Sequence, residues 1–326
     1  MIYLGVDTSN YTTSIASVDD EGSYNNLRQL LPVKQGERGI RQSEGLFMHT
    51  KNIGGIFEKL EIDFQNVKAV GVSVRPRNVE GSYMPVFLAG EAFARGIAHS
   101  LGVPLYEFSH QDGHIMAGIF SGGFYELLED EFLSVHLSGG TTEILKTRFT
   151  GKGFANEIVG GTKDISAGQY IDRVGVYLGM AFPCGKELEQ LVMGTINKRG
   201  TLKLPISEKD GYVCFSGVET KVKGLIETEE PSIIASAVIE NVSKTLVKAI
   251  NSAIQKTGLN RVLIVGGVAS NSIIREQFTK NINGRVMFGS SELSSDNAVG
   301  TAALAKIYTK GVCGDGTANC NGVTDQ

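Results

Sequence analysis

The sequence contains no tryptophan, and its four cysteines, Cys184, Cys214, Cys313 and Cys320, form no Cys-x-x-Cys pair. No charged leader precedes a long apolar run at the N-terminus. Instead Met1-Ile2-Tyr3-Leu4-Gly5-Val6-Asp7 reads as an immediate strand, so no signal peptide is expected. With no export signal, free thiols are expected in place of disulfides. No apolar stretch is long enough to cross a bilayer. These absences point to the cytoplasm and away from membranes. Nor is there an excess of positive charge. The 31 Lys and Arg against 35 Asp and Glu leave a net charge of −4, so no global basic field marks a nucleic-acid binder, although a local basic groove stays open.

What is abundant is glycine, 41 residues, which suggests tight turns or close approaches of backbone to a ligand. Hydrophobic residues make up 41% and charged residues 20%, a globular balance. At 326 residues the chain fits two domains of ordinary size.

Along the first half, strand-like and helix-like segments alternate. Residues 2–6 and 13–18 read as a hairpin. Residues 43–60 read as an amphipathic helix with Ile53, Ile56, Phe57 and Leu60 on one side. Then come a strand at 69–74, a helix at 86–101 and a strand at 103–108. Alternation of this kind argues for α/β layers. The second half repeats the opening: strands at 132–137 and 141–147 flank Ser138-Gly139-Gly140. Ser9 falls on Ser138, Asn10 on Gly139, Thr12-Thr13 on Thr141-Thr142, and Ile15 on Ile144. The match suggests two related domains, although two unrelated hairpins would also produce it. Helices are expected at 165–178, 233–257 and 296–310, with a strand at 261–265. The tail from Gly311 lacks apolar runs and is expected to be frayed.

Four constellations carry chemistry. His110 and His114, four apart, share a helical face and can share one metal. A bare His-x-x-x-His match is weak, and a surface or capping pair would look the same. A carboxylate would complete a set that suits Zn(II) or Fe(II) equally. Asp296, within Ser294-Ser295-Asp296-Asn297, reads as a charge at a helix start and is also a candidate third ligand. Between strands, Ser138-Gly139-Gly140-Thr141-Thr142 can turn bare N–H groups and hydroxyls toward a phosphate. It lacks the Gly-Lys-Ser/Thr ending of a P-loop. Gly266-Gly267-Val268-Ala269-Ser270-Asn271 ends a strand and opens a helix, where Asn271 could bond a base or sugar. Asp164 reads as a helix cap, and Asp172 as a residue of a solvated helix face or of a cleft.

The order of the motifs is more specific than any one of them. Gly-Val-Asp-Thr-Ser, His-x-x-Gly-His, Ser-Gly-Gly-x-Thr, Ala-Gly-x-x-x-Asp, Phe-Ser-Gly, Gly-Gly-Val-x-x-Asn and Asp-Asn follow one another from Met1 to Lys310. The series resembles the TsaD/Gcp/YgjD family of tRNA N6-adenosine threonylcarbamoyltransferases, once labelled O-sialoglycoprotein endopeptidases. The resemblance implies the two-domain actin-like ATPase fold of actin, heat-shock chaperones and sugar kinases, with duplicated mixed-sheet domains. The domains would run over 1–107 plus 298–310 and over 108–297, with metal and nucleotide in the cleft of the second and a flexible 311–326 tail. It implies one metal, iron or zinc, on His110, His114 and Asp296, beside the nucleotide phosphates. It implies ATP or an adenylate over His136, Leu137, Ser138, Gly139 and Gly140, meeting Asp172, Gly185 and Asn271, with Thr8, Ser9 and Asn10 as a further phosphate turn. The implied reaction moves a threonylcarbamoyl group from its adenylate to N6 of adenosine 37 in tRNA. The implied partners are a small paralogous subunit, which uses part of the 43–60 helix, and an ATPase.

The departures mark a divergent paralogue. Asn10, Tyr11 and Thr12 stand where the family carries Cys-Asp-Glu. Thr141 replaces a histidine, and Arg75-Pro76-Arg77-Asn78 replaces a Gly-Pro-Gly-Leu loop. No catalytic base is identified. The alternatives are a non-catalytic or regulatory paralogue that binds nucleotide and metal, and the old peptidase label, which the absence of His-Glu-x-x-His disfavours.

Overall fold

A computed structural model describes residues 1–9, 11–32, 40–194 and 202–311. Asn10 and the tail beyond Gly311 therefore lie outside the described residues. The chain divides into two compact units. The first comprises Met1–Glu129, Phe149–Ala155 and the chain from Asp296 onward; the second comprises Asp130–Arg148 and Asn156–Ser295.

The first unit is built on a five-stranded sheet of order β3-β2-β1-β4-β5. Its strands are β1 (Ile2–Asp7), β2 (Thr12–Asp19), β3 (Tyr24–Leu30), β4 (Val67–Arg75) and β5 (Leu105–Ser109). β1 pairs antiparallel with β2 and parallel with β4. β1 and β4 read as near-continuous apolar runs because both faces are covered. On one face, Leu4, Val6, Val70 and Val72 pack with Ile53 and Ile56 of α1 (Gln42–Phe57) and Ala94 of α2 (Phe87–Leu101). On the other lies α9 (Val299–Lys310). Side chains at Gly5 and Gly71 would strike the backbone of that region, at Ala298 and Thr301, so glycine sets how closely α9 can lie.

The second unit has a seven-stranded sheet of order β12-β11-β6-β7-β8-β10-β9. The strands are β6 (Phe132–Leu137), β7 (Thr142–Phe149), β8 (Phe154–Thr162), β9 (Glu208–Lys209), β10 (Tyr212–Val213), β11 (Arg261–Val265) and β12 (Arg285–Phe288). Five of them, in the order β8-β7-β6-β11-β12, repeat the pattern of the first sheet. The hairpins agree in register as well: Val6 faces Ile15, Val135 faces Ile144, and 129 residues separate each pair from its counterpart. The sequence match of Ser9 with Ser138 has the same displacement. The core of this unit joins Leu133, Val135 and Ile264 to Tyr170 and Val174 of α4 (Ala167–Tyr177) and to Val238 and Leu246 of α7 (Pro231–Thr257).

Several expectations need correction. Residues 108–129 belong to the first unit, because α3 (His110–Gly122) packs along α9. The metal candidates His110 and His114 move there with it. The last helix begins at Val299, not Asp296. Its N-terminal N–H, on Val299, is taken by the side chain of Asn297 at 3.0 Å. Asp164 does not cap α4. Ser166 does so, in a reciprocal box with Gln169. The Asp164 carboxylate instead accepts from the N–H groups of Phe215 and Ser216, each at 2.9 Å. It thereby pins the start of α6 (Ser216–Lys223). Among the described residues no helix is long and apolar enough to cross a membrane.

Candidate functional site

β5 ends at Ser109, and α3 begins at the next residue. The Ser109 hydroxyl accepts from the Asp112 N–H at 3.1 Å, and the Asp112 carboxylate accepts from the Ser109 N–H at 2.9 Å. This capping box fixes the first turn of α3, and that turn carries His110 and His114 on one face. Asp296 arrives from a different part of the chain. Gly300 lies so close to α3 that a Cβ would overlap the Gly113 carbonyl oxygen. Just before α9, the Ala298 N–H donates to Ser14 Oγ at 2.9 Å. These contacts hold the turn that presents Asp296.

Three ligand atoms converge. His110 Nε2 and His114 Nε2 are 3.0 Å apart, and Asp296 Oδ1 lies 3.3 Å from His114 Nε2 and 3.6 Å from His110 Nε2. A tetrahedral ion with bonds of about 2.0–2.2 Å spaces its ligand atoms by roughly 3.3 Å. Two imidazoles and a carboxylate therefore fit a divalent metal in donor type and in spacing, with a coordination position left over for water or substrate. These three form the one His, Cys, Asp and Glu group of metal-binding proportions among the described residues.

A fourth residue supports the set. Asp7, at the end of β1 and 1% exposed, lies 2.9 Å from His110 Nδ1. Burial would raise its carboxyl, but the His110 charge and hydrogen bonds from His110, Ser9 and Ser73 hold it well below the usual carboxylate range. An ionised carboxylate only accepts, so His110 Nδ1 carries the proton and Nε2 faces the other two ligands. Burial pulls His110 down, yet the charge and hydrogen bond of Asp7, with the charge of Asp296, raise it to about 9. Burial likewise opposes ionisation of Asp296, and His114 and His110 reverse it, leaving that carboxyl below its ordinary value. Sequence reading missed Asp7 because its partner is 103 residues away.

The remaining site candidates fall in the second unit, apart from the Thr8 turn. His136 and Leu137 end β6 and are buried; Gly139 and Gly140 are exposed. The Ser138 hydroxyl accepts from the Thr141 N–H at 3.1 Å, and Ser166 Oγ donates to the Gly139 carbonyl at 2.8 Å. Two glycines knit the surroundings together. Gly168 of α4 sits against the Ser138 and Gly139 backbone, and Gly266 (φ +101°) sits against Leu137. Asn271 follows Gly266 and caps α8 (Ser272–Asn281), accepting from the Ile274 N–H at 3.0 Å. The ends of β6 and β11 and the start of α4 are thus locally fitted to one another. Asp172 accepts from the Cys184 N–H at 2.8 Å, next to Gly185, which opens α5 (Gly185–Met193). Burial pushes the Asp172 carboxyl up. In the Thr8 turn, the Thr8 hydroxyl donates to the Val86 carbonyl and accepts from the Gly90 N–H, so it packs α2. Ser9 Oγ is buried without a hydrogen-bond partner among the described residues.

Residues 49–303 match the TsaD family profile, described as tRNA N6-adenosine threonylcarbamoyltransferase. Curated relatives of that name include one from Thermosipho africanus, 27% identical over 97% of each chain. Another, from Thermodesulfovibrio yellowstonii, is 30% identical over 91% of each. Among solved structures, T. kodakarensis HypF superimposes with a TM-score of 0.60 at 14% identity, covering 95% of this chain and 47% of its own. Component A of the Acidaminococcus fermentans (R)-2-hydroxyglutaryl-CoA dehydratase gives 0.56 at 15%, covering 95% and 98%. A Streptomyces griseus ROK-family glucokinase gives 0.52 at 12%, covering 94% and 99%. These three likenesses concern the fold, which is that of actin-like ATPases and sugar kinases.

Proposed function

The chain belongs to the TsaD family of tRNA N6-adenosine threonylcarbamoyltransferases, and from that premise we propose that it is a metal- and nucleotide-binding acyltransferase acting in the cytoplasm on tRNA. The convergence of His110, His114 and Asp296, with Asp7 behind His110, carries this reading. These three residues would hold one iron or zinc ion, which would supply Lewis-acid polarisation of a carbonyl or phosphate oxygen.

The chain's own groups do the rest. Asp7 fixes the His110 ring so that its Nε2 faces His114 and Asp296. The Ser138 hydroxyl, and the Gly139 and Gly140 N–H groups, which themselves have no hydrogen-bond partner among the described residues, receive phosphate oxygens. Asn271 and Asp172 meet the nucleoside. The exposed Phe47 lies on α1, the helix that would meet a paralogous subunit.

A second reading, a nucleotide- and metal-binding paralogue without transferase activity, is favoured by one observation. Thr12 is a buried residue of β2, 4% exposed, and cannot act as an acid or a base. One experiment separates the two. The chain, with partner subunits, is expressed in cells depleted of their own threonylcarbamoyltransferase, and tRNA nucleosides are measured by mass spectrometry. Restored modified adenosine supports transfer. Its absence, with nucleotide binding intact, supports the second reading.

A further inference from the structure

Asp112 has two roles, and the second lies outside the metal centre. As an α3 residue two positions from each histidine, it projects from a different face. Both its oxygens accept from Asn78 Nδ2, at 2.8 and 2.7 Å, and Oδ1 also accepts from the Phe154 N–H at 3.0 Å. With the Ser109 N–H, the carboxylate is fully occupied. Gly153 makes this possible: at φ +129° it lies so near that a Cβ would be 3.1 Å from Asp112 Oδ2.

The Asn78 amide is oriented in consequence. Its NH2 group must face the carboxylate, so its oxygen faces the other way, where it accepts from Arg75 Nε at 3.1 Å. The Arg75 Nη groups and the Lys152 ammonium have no further partner among the described residues. Both side chains line a cavity of about 470 Å³ with Asn78, Thr150, Gly153 and Phe154, all in the first unit. A buried carboxylate thus holds an amide, and the amide holds a guanidinium at a cavity whose second cation is a lysine. In a chain of net charge −4, two uncompensated cations at one cavity do not follow from composition. An arginine fork with a neighbouring ammonium matches a phosphate, and the volume also accommodates an adjoining sugar.

We propose that this cavity binds a phosphate group, supplied by the backbone of the RNA acceptor. The choice of RNA as source rests on the function proposed above; the phosphate chemistry does not. The test uses the full-length protein with Arg75→Gln, Lys152→Gln and the double variant, and Arg75→Lys as a charge-retaining control. Binding of unmodified tRNA is titrated across salt concentrations, and thermal stabilisation by inorganic phosphate is followed separately. The double variant is expected to lower the salt slope of tRNA binding by roughly 0.7–0.9, the share of one phosphate, and to weaken binding roughly tenfold at moderate salt, with each single variant showing part of both effects. Arg75→Lys is expected to fall between. Metal content and unliganded Tm are expected to stay unchanged.

If phosphate stabilisation is lost while tRNA binding is untouched, the cavity takes free phosphate and the RNA source is wrong. If wild type binds no tRNA yet loses phosphate stabilisation in the variants, the acceptor reading fails and the phosphate site stands. If neither property changes in the double variant, the proposal is overturned.

Discussion

Metal affinity should depend on pH in a way set by Asp7. In the metal-free protein His110 is raised to about 9, so at pH 7 its ring is almost wholly imidazolium. A metal must displace that proton. The sign follows: affinity rises as pH rises from 7 toward 9, because the competing proton is held below about 9 and released above it. Two pH units correspond to about 2.7 kcal/mol, or roughly a hundredfold. Asp7→Asn removes the counter-charge, so the variant's pH dependence should shrink to less than tenfold over the same range. It also removes the carboxylate that orients the ring, which costs about 10–100-fold in affinity. At pH 9, where the proton no longer competes, that loss should appear in full; at pH 7 the two effects partly cancel. Competition for Zn²⁺ against a chromophoric chelator at pH 7, 8 and 9 measures both. A wild-type affinity that is flat across this range would refute the reasoning.

Three further outcomes are expected. His49 is fully buried with Nδ1 2.9 Å from Thr13 Oγ1, and burial lowers it to about 4. A depressed histidine costs stability as pH falls from about 6.5 toward 4, here up to about 3 kcal/mol; denaturant melts at pH 7 and 4.5 should show this loss in wild type and a smaller one in His49→Gln. Gly300→Ala should lower Tm and weaken metal binding together, since a Cβ there meets α3 backbone; a normal Tm with full metal content would contradict the packing account. Asn271→Ala should cost about 1 kcal/mol as a lost cap, and Asn271→Ser should restore Tm without restoring nucleotide affinity; full recovery of both by serine would reduce Asn271 to a cap.

Local signals in the sequence carried far. The spacing of His110 and His114 survives as one face of α3. The hairpin match at 129 residues survives as identical strand register, because register depends on the local apolar pattern and the turn. What sequence reading missed was set by distant contacts. Asp7 acquires its role only when β1 lies beside the start of α3. Asp164 was read as a local cap, yet its carboxylate serves N–H groups 51 and 52 residues away. The start of α9 was placed three residues early, since Ser295-Asp296 has a cap's composition while it is the Asn297 side chain that takes the Val299 N–H. Asp112 had no sequence signal beyond its place in the Ser109 capping box, and its hold on Asn78 and Phe154 depends on a turn 42 residues away.

The most direct test of the central claim is metal stoichiometry by elemental analysis of the purified full-length chain. Wild type is expected to hold about one iron or zinc ion per chain, and His110→Ala, His114→Ala and Asp296→Ala each to lose most of it while staying folded. Unchanged metal content in all three would contradict the account.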